Sequence, residues 1–156
     1  MIPKLILALE IILLSNFCDK VWSVVFVDGF FDHADVYCGN KLDVSTETYE
    51  SWFNQEMEII DEESPVSQEF MNCWMTKRGI TNENADLVND VLMAWLQDDV
   101  YMYVLKEDIE KYPLEGRKAA VTTILNECKK MHGVENNIKN HVVHIYNCLI
   151  IGVSKL

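Results

Sequence analysis

Cysteines are the residues of this chain that could form disulfides or bind a metal ion. They stand at five positions: Cys18, Cys38, Cys73, Cys128 and Cys148. The last four suit either two disulfides in a secreted protein or thiolate ligands of a zinc ion. Four cysteines allow three disulfide pairings, of which sequential pairing closes the shortest loops. No C-x-x-C motif occurs, and we favour disulfides in an oxidising compartment.

Histidines near the last two cysteines supply the zinc alternative. Cys128 and His132 are four residues apart, as are His144 and Cys148. His141 and His144 lack the glutamate and the spacing of a zinc-protease helix, so no catalytic metal is expected. One hypothesis places this pair at a core margin. The other is a pH switch, in which protonation near pH ~6 charges the last helix and releases a ligand.

The acidic residues form no recognisable catalytic arrangement. Asp98-Asp99 and Asp61-Glu62-Glu63 fall in predicted breaks between helices, which is typical of a solvated surface. No serine lies in a G-x-S-x-G or comparable local signature. We therefore predict that the protein is not an enzyme and uses no cofactor and no metal. The formal charge of −12 argues against nucleic acid or an anionic membrane surface as a partner.

The N-terminal segment has the pattern of a secretory signal peptide. Lys4 precedes the apolar run Leu5 to Leu14, and Val21-Trp22-Ser23 offers a cleavage site. The run is shorter than the ~20 apolar residues of a membrane-spanning helix. The sequence thus predicts a signal peptide at residues 1–23, one domain at residues 24–156, and secretion into an extracellular fluid. A retained interfacial anchor is the alternative, and no stable membrane insertion is expected.

Helical spacing dominates the rest of the chain. Apolar residues recur at three- and four-residue intervals, and no sustained period-2 pattern appears. The segment from Ser64-Pro65 to Gly79 is the clearest helix, because it carries an N-cap, a proline at the first position and a C-terminal glycine. The chain predicts an all-α bundle of six to seven short helices. Other helices are expected from Ser45 or Thr46 through Trp52 and Phe53, from Thr81 or Asn82 to Gln97-Asp98-Asp99, within Val100–Tyr112, from about Leu114, and from about Glu135.

The cysteine pattern and the segment Cys73-Trp74-Met75-Thr76-Lys77-Arg78-Gly79-Ile80 together carry a resemblance to a known family. A C-x5-G motif, four cysteines, a signal peptide and an acidic pI resemble the insect odorant-binding proteins (the pheromone/general odorant-binding family). The four-cysteine set is similar to the "Minus-C" variant, and the segment is also similar to ant venom allergens of the same family. The resemblance covers essentially all of the mature chain. It implies the disulfides Cys38–Cys73 and Cys128–Cys148.

The resemblance also implies a function. It implies a compact helical shell around an apolar cavity, which carries small hydrophobic ligands such as odorants, pheromones or similar semiochemicals. A secreted venom or gland protein that acts through a protein partner is the alternative. Beside the ligand, a receptor or a second copy of the chain is considered as a partner. Large apolar residues at helical spacing are the pocket candidates: Trp52, Phe53, Phe70, Trp74, Val91, Trp95, Leu125, Val142, Ile145 and Leu149.

Two charged residues occupy places where six-cysteine members of the family carry a further pair of cysteines. Glu69 and Lys139 stand at these places. We hypothesise that they face each other and form a weak ion pair. An exposed pair contributes only ~0–1 kcal/mol, against ~2–4 kcal/mol for a disulfide. The last helix would then be easier to displace.

Overall fold

The computed structural model describes residues 30–156. The predicted signal peptide and its cleavage after Ser23 therefore lie outside the described residues. Within residues 30–156 the fold is all-α, as predicted, with isolated bridges in place of a β-sheet. No helix in this part of the chain is long and apolar enough to cross a membrane.

Some helices follow one another directly, whereas others are joined by longer loops such as residues 51–63. The α-helices are α1 (His33–Leu42), α2 (Thr46–Glu50), α3 (Pro65–Lys77), α4 (Asn89–Trp95), α5 (Tyr101–Leu105), α6 (Leu114–Met131) and α7 (Val142–Ser154). A π-helical segment, Leu96–Val100, joins α4 to α5, and a 3-10 segment, Lys106–Lys111, follows α5.

Helix α3 begins and ends as its sequence predicts. The Ser64 side chain accepts the N–H of Ser67, and Pro65 takes the first helical position. Gly79 follows the helix with φ = 74°, a left-handed conformation that favours glycine. The helix packs against α1 and α7. It therefore lies in the middle of the bundle.

The helix expected through Trp52 and Phe53 is shorter than predicted. Helix α2 ends at Glu50, and residues 51–63 form a loop closed by an isolated bridge between Phe53 and Ile59. The side-chain oxygen of Asn54 accepts the backbone N–H groups of residues 56 and 58, each at 2.9 Å. An asparagine that satisfies nearby backbone donors competes with helix formation. The loop follows from that competition.

Asparagine side chains also explain why two more helices begin later in the sequence than predicted. Asn82 accepts the N–H groups of residues 84 and 86, and α4 begins only at Asn89 instead of near Thr81. Asn137 accepts the N–H of Lys139, and α7 begins at Val142 instead of near Glu135. In both cases a side-chain carbonyl takes a backbone donor that a helix would use internally.

The predicted break at Gln97-Asp98-Asp99 is absent. The chain continues through the π-helical segment into α5 because basic side chains bind this stretch. Arg78 contacts the Asp99 carboxylate at 2.5 Å, and Arg117 donates to the Gln97 carbonyl at 3.0 Å. The segment Val100–Tyr112 is helical in character, as predicted.

Two disulfides connect the helices around one apolar core. Cys38 joins α1 to α3 through Cys73, and Cys128 joins α6 to α7 through Cys148. This is the pairing that the family resemblance implies. The core contains residues from every α-helix of the described chain. The bundle is thus fastened at two separate helix pairs.

Candidate functional site

An enclosed aromatic cavity lies in the core of the bundle. Its free volume is about 10 Å³, close to the space of one water molecule. The aromatic rings around it pack mostly edge to face, for example Phe53 on Phe30 with centroids 5.4 Å apart. The residues that line it are Phe30, Tyr49, Phe53, Met71, Trp74, Trp95, Tyr103, Tyr146 and Ile150.

The structure brings some of the predicted pocket residues together at this cavity. Phe53, Trp74 and Trp95 line it. Trp52 and Phe70 pack against each other and against Tyr49, whose ring is part of the cavity wall.

The other predicted pocket residues lie elsewhere. Val91 on α4 is 38% exposed. Four more are buried in the core without lining the cavity: Leu125, Val142, Ile145 and Leu149. Their helical spacing indicates burial but not which buried surface meets the cavity.

Several wall residues were not predicted from the sequence. Tyr49 lies one helical turn before Phe53, and Tyr146 and Ile150 lie one turn apart on α7. That spacing was a usable signal, because residues four apart share a helix face. Met71 and Tyr103 carried no comparable signal.

Tyr49 separates the central cavity from a second one. It lines the aromatic cavity and also a cavity of about 150 Å³ beside α1 and α2. The ring of Tyr49 stacks on Phe70 with centroids 4.4 Å apart. Burial, and then the nearby Asp35 carboxylate, raise the pKa of Tyr49, so its hydroxyl stays neutral. Within residues 30–156, Tyr49 is the one residue that lines both spaces.

Tyr146 anchors the opposite wall. Its hydroxyl donates to the carbonyl oxygen of Met57 at 3.1 Å. Complete burial raises the pKa of Tyr146 well above its usual range. Met57 belongs to the loop of residues 51–63, so α7 and this loop hold the cavity wall together.

A larger, open groove runs between α6 and α7. Its volume is about 660 Å³, and its walls include Ile124, Met131 and Ile151 beside the Cys128–Cys148 disulfide. None of the predicted pocket residues lines this groove.

Histidines and glutamates occupy one end of this groove. His144 Nδ1 lies 2.6 Å from Glu62 Oε2, and its Nε2 lies 3.3 Å from Glu63 Oε1. The ring of His132 stacks on that of His144 at 5.5 Å, and the ring of His141 lies 6.1 Å from His144. The structure thus places His132, which the sequence singled out only for the zinc alternative, beside the two histidines of the predicted pH switch.

Two groups in this cluster have shifted pKa values. Burial acts to raise the pKa of Glu62, but hydrogen bonds from Asn147 and His144 outweigh it and lower that pKa. Burial lowers the pKa of His132, and the neighbouring His144 lowers it further. Both shifts favour the forms that the groups hold at neutral pH, a charged glutamate and a neutral His132.

Cys128 and Cys148 cannot serve as zinc thiolates here, because their sulfurs are bonded to each other. The zinc alternative is therefore wrong. Among residues 30–156, no cluster of three or more His, Cys, Asp or Glu side chains could hold a metal ion.

Glu69 and Lys139 line one surface cavity but do not form an ion pair within the described chain. Lys139 lies in the loop before α7, not on the helix itself. Asn72 makes the connection instead, because its side-chain N–H donates to the Lys139 carbonyl at 3.0 Å. The hypothesis of an ion pair is therefore wrong, although both residues line the same surface cavity.

A family model described as the PBP/GOBP family matches residues 30–150. The match spans both disulfides, the aromatic cavity and most of α7. No curated protein and no solved structure matches the chain significantly.

Proposed function

This chain belongs to the PBP/GOBP family, and we propose that it carries a small hydrophobic ligand in its central aromatic cavity. The family is one of odorant- and pheromone-binding carriers, not of enzymes. The observation that carries the proposal is the enclosed cavity, whose walls are aromatic and aliphatic side chains on several helices. Burying apolar ligand surface there gains roughly 25 cal/mol per Å², which suits micromolar affinity once association costs are met.

The cavity must enlarge to hold a ligand. Its present free volume is about 10 Å³, and Tyr49 separates it from the neighbouring space of about 150 Å³. We infer that the Tyr49 ring swings aside and joins the two spaces. Helix α2, which carries Tyr49, has only five residues. A short helix of this kind can shift at modest cost, because it has few internal hydrogen bonds to keep.

The finer identity of the carrier is part of the proposal. Its ligands are odorants, pheromones or similar semiochemicals, and the chain is secreted after cleavage of residues 1–23. The cysteines of the described chain form two disulfides, which supports assignment to the four-cysteine variant. The secreted venom or gland interaction protein stays the alternative, and no observation favours it over the carrier. A receptor or a second copy of the chain stays a prediction.

Displacement of a fluorescent apolar probe, N-phenyl-1-naphthylamine, tests the carrier and locates its site. Ile150 and Ile151 are neighbours on α7, but Ile150 lines the central cavity and Ile151 lines the open groove. Ile150→Phe should lower probe affinity about tenfold or more, because it fills the cavity at an overpacking cost of about 1–3 kcal/mol. Ile151→Phe is the matched control and should leave the affinity unchanged.

Each outcome has a definite meaning. If Ile151→Phe alone lowers the affinity, the ligand binds in the groove and the proposed site is wrong. If the unmodified protein binds no probe, the carrier function is wrong. Far-UV circular dichroism and urea unfolding show that both variants are folded before their affinities are compared.

A further inference from the structure

One residue that lines the central cavity carries a hydrogen-bond donor without a partner among the described residues. Trp95 Nε1 is buried and makes no hydrogen bond within the described chain. The residue is only 6% exposed, and its ring is part of the cavity wall. An indole N–H can donate but cannot accept. A buried donor left unsatisfied has given up its hydrogen bond to water without replacing it, so its persistence calls for an explanation.

The tyrosine hydroxyls of the wall already have partners. The Tyr146 hydroxyl donates to the Met57 carbonyl. Tyr49 interacts with the carboxylate of Asp35. Tyr103 is engaged by the side chain of Arg78. The O–H groups of Tyr146 and Tyr49 are therefore already used as donors within the protein.

Trp74 offers the one comparable group. Its Nε1 also lacks a hydrogen bond of good geometry, and so does Asp35 Oδ1. Burial raises the pKa of Asp35, hydrogen bonds from the Asp32 backbone and from the Tyr49 and Trp74 side chains oppose that rise, and the charge of Asp32 adds to it. The Trp74 indole therefore has a carboxylate beside it. The rings of the two tryptophans lie 5.7 Å apart.

We propose that Trp95 donates a hydrogen bond to the ligand and selects ligands with an accepting oxygen, namely ketones, aldehydes or esters on an apolar chain. This inference rests on the proposed carrier function. A carbonyl oxygen satisfies the indole N–H without adding a donor of its own. An alcohol brings an O–H that needs a further acceptor in an aromatic cavity, and an unsatisfied hydroxyl is costly to bury.

A single water molecule is the competing explanation for the unpaired donor. The free volume of about 10 Å³ is close to the space that one water needs. A buried water also requires two to four polar partners, and the wall hydroxyls are already engaged. If water were the permanent partner of Trp95, a ligand oxygen would bring no advantage. The two explanations therefore predict different ligand preferences.

The experiment compares two ligands that differ only at the oxygen. Dodecan-2-one and its methylene isostere, in which a =CH2 group replaces the oxygen, each displace N-phenyl-1-naphthylamine from the protein. The unmodified protein should bind the ketone about three- to tenfold more tightly, the usual effect of one neutral hydrogen bond. Trp95→Phe should abolish this preference, so that the ketone and the isostere bind with affinities within about twofold of each other.

Trp74→Phe is the matched control, since it removes the same atoms from the neighbouring ring. It should keep the preference for the ketone. The inference is overturned if the unmodified protein shows no preference, as permanent water would produce. It is equally overturned if Trp95→Phe keeps the preference, or if Trp74→Phe alone removes it. If neither ligand displaces the probe while the probe itself binds, the inference fails but a carrier of other ligands stands. If the probe does not bind at all, the carrier function fails first.

Discussion

The side-chain amide of Asn147 hydrogen-bonds both backbone groups of Ile59. Its oxygen accepts the Ile59 N–H and its nitrogen donates to the Ile59 carbonyl, both at 2.8 Å. The same nitrogen also donates to Glu62 Oε1 at 2.7 Å. One buried residue of α7 thereby binds the loop of residues 51–63. Because this loop carries Phe53, Asn147 also supports the cavity wall.

Replacing Asn147 should destabilise the protein strongly. Asn147→Ala removes the amide and leaves the buried backbone groups of Ile59 without partners, so we expect a loss of about 2–4 kcal/mol in the free energy of unfolding. Urea unfolding measures it. Asn140→Ala, at an exposed position in the loop before α7, should cost little by comparison. A similar small loss in both variants would contradict the structural role of Asn147.

The sequence predicted those features that depend on local chemistry. Ser64, Pro65 and Gly79 define α3 because caps act within a few residues of where they stand. Features that depend on distant partners were missed. Asn147 contacts a residue 88 positions away, and no spacing rule reports such a contact. Its presence on an otherwise apolar helix was the available signal, since a buried amide needs partners.

Asparagines explain the errors in helix boundaries. Asn54, Asn82 and Asn137 each hold a turn by accepting backbone N–H groups. Apolar spacing continues through such turns, so periodicity alone extends the helices too far. The cavity shows the same limit. Helical spacing identifies buried faces, but only three-dimensional packing separates Trp95, which lines the cavity, from Leu149, which does not.

Acid should destabilise the protein through His132. The pKa of His132 is lowered in the folded chain, by burial first and by His144 and His141 next, although Glu62 opposes the shift. Below about pH 6.5 the unfolded chain therefore binds a proton more readily than the folded one. The free energy of unfolding then decreases as the pH is lowered. The contribution is fully present above that pH and is lost as the pH falls through the lowered pKa. Glu62 adds a similar effect only below its ordinary pKa of 4.5.

Urea unfolding midpoints measured between about pH 7.5 and about pH 5.5 separate the effect of His132 from that of the Glu62 carboxylate. His132→Gln should make the midpoint less dependent on pH in this range. His33→Gln, an exposed histidine at the start of α1, is the control and should leave the slope unchanged. An unchanged slope in His132→Gln would contradict the prediction.

Ligand release is expected to respond to the other two histidines. His144 connects α7 to the loop of residues 51–63 through Glu62, and His141 lies beside it. A positive charge on these rings would lie at the start of α7, next to the ring of His132. Affinity for the apolar probe should then fall at acidic pH in the unmodified protein and fall less in His141→Ala/His144→Ala. An equal fall in both proteins would exclude these histidines as the switch.

Glu69 and Lys139 border the same surface cavity, where Asn72 of α3 holds the Lys139 carbonyl. We expect Glu69→Cys/Lys139→Cys to form a disulfide under mild oxidation and to raise the free energy of unfolding by about 2–4 kcal/mol, because a long loop is closed in the unfolded chain. Non-reducing mass spectrometry detects the bridge, and urea unfolding with and without reductant measures its effect. The single variants Glu69→Cys and Lys139→Cys are the controls and should show no such gain. If no bridge forms, the two side chains do not approach each other in solution. If it forms and also slows probe release, movement between α3 and the loop before α7 takes part in ligand exchange.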